Sequence, residues 1–263
     1  VDGHTVHAVV MGEGPDVVLI HGSSGNTRDT TLSLAPRLAR EFRVFVIDRP
    51  GLGYTDRINT SGATITQQAD LLSAAAAKLG AEDPIVVGHS VSAITAGIAA
   101  ANNPGRFEKV IMVAPSPSFV NDGDYIGGFE RADLLQIVDT MQENYLGWAE
   151  QMAPAIAGEP AEGEAAQMLT QSFCRTDPKI ARHFGQVTFL SDRREDIRRI
   201  ETPTLILQCS DDAIANPINP VPICSSSIVF AASHTRVNSG MICCRIFWPS
   251  VCPIGIALLA QAI

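Results

Sequence analysis

One serine stands where a serine can act as a nucleophile. In Ile85-Val86-Val87-Gly88-His89-Ser90-Val91-Ser92 an apolar run passes through a tight turn into small, helix-forming residues. Such a strand–turn–helix lifts the Ser90 hydroxyl clear of the backbone. It also holds it at a helix N-terminus, where free N–H groups and the dipole favour developing negative charge. The turn needs small residues two before and two after the serine, and Gly88 and Ser92 supply them. An ordinary Ser N-cap is the blander account; the strand leading into the turn favours the nucleophile.

A second segment, His21-Gly22-Ser23-Ser24-Gly25, follows the apolar run Val17-Val18-Leu19-Ile20. A loop there can present the Ser23 N–H beside that of Val91 as a two-donor oxyanion hole. Gly22 and Ser24 would then border the substrate, while His21 reads as a structural residue that bonds the loop. Asp48-Arg49-Pro50-Gly51-Leu52-Gly53 has two glycines but no third at dinucleotide spacing and no helix opening after it, so it reads as a turn.

A nucleophilic serine needs a base, and the base needs an orienting acid. Asp211 and Asp212 follow the run Thr204-Leu205-Ile206-Leu207, and either serves as the acid or as a simple turn residue. His234, after Ser227–Ser233, is the histidine downstream of both; His4, His7, His21, His89 and His183 come too early in the chain.

The elements that must position these residues are short apolar runs of strand length at 17–20, 44–47, 85–87, 110–113 and 204–207, with a further strand at 226–233. Such continuous runs suit strands buried on both faces of a parallel sheet. Helical spacing at 67–79 and 91–101 lies between them, which is the alternation of βαβ units. From 116 to 198 no strand-like run occurs. Helices are expected at 129–144, 146–156, 162–173 and 179–190, as a cap over the sheet's C-terminal edge, where open α/β sheets bind ligands. The expected organisation is thus a core at 1–115, a helical cap at 116–198 and the rest of the core at 199–263. The final stretch carries no Asp, Glu or Lys after Asp212; a helix is expected at 256–263.

Composition removes other classes. With 263 residues, 46% of them hydrophobic, the chain can bury a core without disulfides or metal. A net charge of −9 and no basic cluster argue against nucleic acid and anionic lipid. No apolar run is long enough for a spanning helix, and Val1-Asp2-Gly3-His4 lacks the features of a signal peptide. The six cysteines form no CxxC pair and no zinc pattern, so reduced thiols and a cytoplasmic location are expected, with no metal and no cofactor.

The chain resembles the α/β-hydrolases. Gly88-His89-Ser90-Val91-Ser92-Ala93, Asp124-Tyr125-Ile126-Gly127-Gly128-Phe129, Asn144-Tyr145-Leu146-Gly147-Trp148-Ala149 and Leu205-Ile206-Leu207-Gln208-Cys209-Ser210-Asp211-Asp212 are similar to one branch of them. That branch holds the bacterial sigma-B stress-regulator hydrolases and the plant karrikin and strigolactone receptors. The resemblance implies Ser90 as nucleophile, Asp212 as acid, and a four-helix cap over an apolar pocket. It departs in two places. The first ninety residues look more like general ester hydrolases, and the branch's Gly-His-Cys-Pro-His type motif is absent; matching the preceding strand puts His234 at the family position. The expected activity is cleavage of a small, largely apolar ester or lactone by Ser90, Asp212 and His234. Phe119, Phe129, Trp148, Phe173 and Phe189 would line the pocket or simply pack the helices. The alternative is a ligand-binding or stress-signalling regulator of the same fold, with a regulatory protein partner.

Overall fold

The computed structural model of the protein describes residues 1–32, 34–59, 63–209, 212, 214–215 and 228–232. The apolar runs at 17–20, 44–47, 85–87, 110–113 and 204–207 become strands because each buries both of its faces. β1 (Ala8–Met11), β2 (Asp16–Ile20), β3 (Arg43–Ile47), β4 (Ile85–His89), β5 (Lys109–Val113), β6 (Thr204–Cys209) and β7 (Ile228–Ala232) form one sheet in the order β1-β3-β2-β4-β5-β6-β7. β1 runs antiparallel to β3, and the other neighbouring strands are parallel.

Side chains alternate between the two faces, as the period of a strand requires. Val18, Ile20, Phe45, Ile47 and Val86 pack with α3 (Ile65–Lys78) and α4 (Val91–Asn102). Val17, Leu19, Val44, Val46, Ile85 and Val87 pack on the other side with Leu34, Ala35 and Leu38 of α2 (Leu34–Leu38), which follows the one-turn α1 (Arg28–Thr31). Each fully buried aliphatic side chain of this kind contributes about 1.5–3 kcal/mol. Helix α3 starts on a capping box: the Thr64 hydroxyl accepts the Gln67 N–H at 3.1 Å, and the Gln67 side chain accepts the Thr64 N–H at 2.9 Å.

Between β5 and β6 the chain is helical: α5 (Arg131–Glu143), α6 (Tyr145–Ala157), α7 (Glu164–Cys174), α8 (Pro178–Phe189) and the short α9 (Arg194–Arg198). Asp177 caps α8 by accepting the Lys179 N–H at 2.8 Å, with Pro178 in the first turn, where its missing N–H costs nothing.

The edge strand β1 and the short helices α1, α2 and α9 had no counterpart in the sequence reading. β1 buries little, with Val10 47% exposed, so it lacks the run of a strand covered on both sides. The expected helix at 256–263 lies outside the described residues. Among the described residues no helix is long and apolar enough to cross a membrane.

Candidate active site

Because β2, β4, β5 and β6 run parallel, the loops after them gather at one edge of the sheet. Three residues other than glycine take positive φ there: Ser24 (51°), Ser90 (56°) and Ala114 (50°). Backbone held in this region costs on the order of 1–3 kcal/mol and tends to collect at functional sites. At Ser90 the ψ of −122° completes the sharp turn from β4 into α4. The strained residue is fixed from both sides: its N–H donates to the Val113 carbonyl at 2.8 Å, and its carbonyl accepts the Ala93 N–H at 2.9 Å. A Cβ on Gly88 would strike the Ser92 carbonyl and come within 2.7 Å of the Ala93 nitrogen, so only glycine lets strand and helix approach this closely. The Ser90 hydroxyl makes no capping hydrogen bond to α4, which leaves it available to another partner.

The small residue on the helix side does more than leave room. Ser92, fully buried, donates its hydroxyl to the His21 carbonyl at 2.5 Å and so ties the loop after β2 to the start of α4. His21 is structural. Its Nε2 accepts the Arg49 N–H at 3.0 Å, which leaves Nδ1 to donate to the Gly22 carbonyl at 3.0 Å. That pattern needs the neutral ring. Burial, helped by the nearby Arg49 charge, pushes the His21 pKa down to about 4, and burial does the same to His89.

Arg49 itself has 0% of its surface exposed. Its Nη1 donates to the Gly22 carbonyl at 2.9 Å, and Nε and Nη2 donate to Gln68 Oε1 at 3.0 and 2.7 Å. The guanidinium lies 4.9 Å from the Phe184 ring centroid, so it also touches α8. Burial lowers its pKa to about 9. The neighbouring Asp48 takes N–H bonds from Thr27 at 2.7 Å and Tyr54 at 3.1 Å. The Asp-Arg pair is thus a buried brace under the loop, in keeping with its reading as a turn.

Braced in this way, the loop and the helix start present two N–H groups, those of Ser23 and Val91, that bond no other described residue. A cavity of about 100 Å³ opens in front of Ser90. Gly22, Ser23, Ser90, Ala114 and Asp212 line it from the sheet edge, and Phe119, Trp148, Leu169, Phe173 and Phe189 close it from the segment between β5 and β6. Trp148 and Phe173 stack with ring centroids 5.6 Å apart, and Phe119 meets Phe189 edge-on at 5.3 Å. The Asp212 carboxylate is oriented by its own loop. Oδ1 accepts the N–H groups of Ile214 at 2.9 Å and Ala215 at 2.8 Å, while Gln208 Nε2 reaches Oδ2 at 3.5 Å.

The structure therefore brings Ser90, Asp212, Gly22, Ser23, Phe119, Trp148, Phe173 and Phe189 to one cavity. Val91, expected to supply an oxyanion donor, and two residues expected to border the substrate are not among its described lining. Ser24 turns away through its positive φ: its hydroxyl accepts from the Tyr145 hydroxyl at 3.3 Å and its carbonyl from Thr176 at 2.9 Å. Phe129 is held in a short excursion ahead of α5, its N–H on the Phe119 carbonyl at 3.1 Å and its carbonyl on the Asn121 N–H at 2.8 Å. Asp211 and His234 lie outside the described residues. Strand β7 pairs with β6 as far as Ala232 opposite Cys209, so its end lies at the edge that carries Asp212. Sequence reasoning missed Asp29, Thr188, Met152 and Ile156 as lining residues, and nothing in their spacing marks them. Among the described residues, no group of three or more His, Cys, Asp or Glu is arranged to hold a metal ion.

The site is a strained serine at a strand–helix turn on the edge of a mostly parallel sheet. The model of the alpha/beta hydrolase family matches residues 17–237, and the chain belongs to that family. A probable esterase from Oryza sativa subsp. japonica is 34% identical over 82% of this chain and 80% of its own length. A karrikin insensitive 2 receptor from Petunia hybrida is 32% identical over 80% of this chain and 77% of its own. Among solved structures, a hydrolase from Oleispira antarctica superposes with a TM-score of 0.77 at 33% identity, covering 85% of both chains. The branch of the family that the sequence resembles is thus the one to which these relatives point, and its members carry the names of both esterases and receptors.

Proposed function

We propose that this protein is a serine hydrolase that cleaves a small, largely apolar carboxylic ester or lactone. The observation that carries the reading is the uncapped Ser90 hydroxyl, at φ 56°, on the wall of a cavity shared with the Asp212 carboxylate and closed by aromatic side chains. Ser90 Oγ attacks the substrate carbonyl and its proton passes to the His234 imidazole. The part of His234 rests on its place in the sequence after β7. Asp212 orients that ring and stabilises the imidazolium. The Ser23 and Val91 N–H groups hold the oxyanion, and a donor in such a position contributes about 3–4 kcal/mol. The C–O bond then breaks and the alkoxide takes the proton from His234; the alcohol of an ester leaves, that of a lactone stays on the chain, and Ser90 keeps the acyl group. Water, deprotonated by the same imidazole, frees the acid and regenerates the serine. The helical segment from 116 to 198 acts as the cap that excludes bulk water and sets the size of the acyl group.

The test is hydrolysis of p-nitrophenyl butyrate by the wild type beside Ser90→Ala and His234→Ala. Turnover by the wild type, falling about 10³–10⁶-fold in both variants, supports the triad. A wild type no faster than Ser90→Ala overturns it. The likeness to a karrikin receptor favours one second reading, a ligand-responsive regulator in which the cavity binds and turnover is incidental. Under that reading Ser90→Ala still binds ligand and still shows a ligand-dependent thermal shift, and the wild type turns over slowly at best.

A further inference from the structure

The cavity in front of Ser90 is apolar over most of its wall, yet it contains a carboxyl group for which the proposed reaction has no use. Asp29 stands on α1, just beyond the loop that carries Ser23, and lines the same cavity as Ser90. Its place is built. Oδ2 accepts the Asn26 N–H at 3.2 Å, and Oδ1 accepts the Ser172 hydroxyl of α7 at 3.2 Å, so the group spans the boundary between sheet edge and helical segment. A Cβ on Gly25 would collide with the same carboxylate, so the glycine of the loop makes room for it.

We propose that Asp29 is a specificity-determining residue, a charge filter that rejects substrates whose acyl chain carries a carboxylate and admits neutral ones. This rests on the reading of Ser90 as nucleophile. Two negative charges in a cavity with aromatic walls repel far more strongly than in water, because little solvent screens them. The described charged groups around Asp29 act in both directions. Asp48, buried after β3, adds to the negative field; Arg175 after α7 opposes it; and His21 and His89 are held neutral by burial. Asp212 shares the cavity and is common to every substrate. Burial raises the Asp29 pKa to about 6, so the filter is charged at pH 8 and largely discharged at pH 5.

The experiment compares p-nitrophenyl pentanoate with mono-p-nitrophenyl glutarate, acyl chains of equal length ending in methyl and in carboxylate. Rates of Ser90→Ala are subtracted as the blank. The readout is the ratio of kcat/KM for glutarate to that for pentanoate, in which titration of the shared base cancels. At pH 8 the wild-type ratio is low, and Asp29→Asn raises it about tenfold. In the wild type alone the ratio rises as pH falls from 8 to 5.5, while in Asp29→Asn it stays flat. A ratio that Asp29→Asn leaves unchanged overturns the proposal, and so does a wild-type ratio independent of pH. The wild-type pH series decides the matter even if the variant folds poorly. If neither ester is turned over above the blank, the hydrolase reading fails instead, which is a distinct result.

Discussion

The two walls of the cavity are made differently. On the sheet side Ser90 sits on strained backbone, and buried polar contacts fix the loops around it: Ser92 on the His21 carbonyl, His21 on Arg49, and Arg49 on Gly22 and Gln68. On the helical side the wall is hydrophobic packing, with Met141, Tyr145, Trp148, Leu169 and Phe173 in one cluster apart from the two clusters that cover the sheet. Hydrogen bonds have direction and hold an N–H to within a fraction of an ångström, as an oxyanion demands. Dispersion and apolar burial have none, and they let a wall change shape while it stays closed. On the proposed reading the chemistry is anchored on the sheet edge together with the charge filter at Asp29, and the helices set the size of the acyl group. Specific joints cross between the two: the Ser172 hydroxyl on Asp29, the Tyr145 and Thr176 hydroxyls on Ser24, the Arg49 guanidinium over Phe184, the His183 ring on the Ala63 carbonyl at 3.1 Å, and Arg57 paired with Asp177 at 2.5 Å.

Four changes would break or sharpen this contrast. Phe173→Ala, on the packed wall, is expected to cost about 3–5 kcal/mol of stability by opening a cavity beside Trp148. In thermal melts its Tm falls most of the set, yet the enzyme prefers longer acyl chains rather than losing turnover. A loss of kcat on short esters equal to that of a sheet-side variant would erase the distinction. Arg49→Met, on the braced wall, leaves the Gly22 carbonyl and Gln68 Oε1 without their donors and is expected to cost about 2–3 kcal/mol. Urea titration measures that cost, and kcat should drop with KM little changed.

The third change is pH. His21 and His89 have pKa values near 4 in the fold against an ordinary 6.5, so the unfolded chain binds more protons and stability falls as pH drops from about 6.5 to 4. Asp29 works the other way, taking up a proton in the fold near pH 6. Two histidines against one carboxyl leave a net slope of about 1.4 kcal/mol per pH unit in that window. Urea midpoints from pH 7 to 4.5 should show it, and a slope of opposite sign would mean that the histidines are not held neutral. The smallest effect belongs to Ser92→Ala. One lost hydrogen bond is expected to cost about 1 kcal/mol, and its signature is a lower kcat at unchanged KM, since only the loop after β2 is loosened.

Much of the sheet edge was legible in the sequence. Gly88-His89-Ser90 is a local signal, because a strand entering a helix through a tight turn is written in adjacent residues. The helices at 131–143, 145–157, 164–174 and 178–189 were legible for a similar reason, since Gly158 and the Asp177-Pro178 pair punctuate a helical pattern. Ser92 was legible only as a small residue. Its bond to the His21 carbonyl spans 71 positions, and no local pattern carries it. The same holds for Arg49, whose Asp-Arg-Pro-Gly context reads as a turn and gives no hint of a guanidinium buried among Gly22, Gln68 and Phe184.

The sequence by itself determined which strands are buried on both faces, where the serine of the strand–helix turn stands and where the helical segment interrupts the sheet. Each of these depends on neighbours a few residues apart. Tertiary structure decided what faces the cavity. Trp148 and Phe173 were brought to the cavity that Ser90 lines while Phe129 was held elsewhere, and Asp29, unmarked by any motif, was placed on the same cavity wall. The physical reason is that a side chain's partners on another element are set by how two surfaces pack. That packing is fixed only when the parallel sheet draws its loops to one edge and the helices fold back over them.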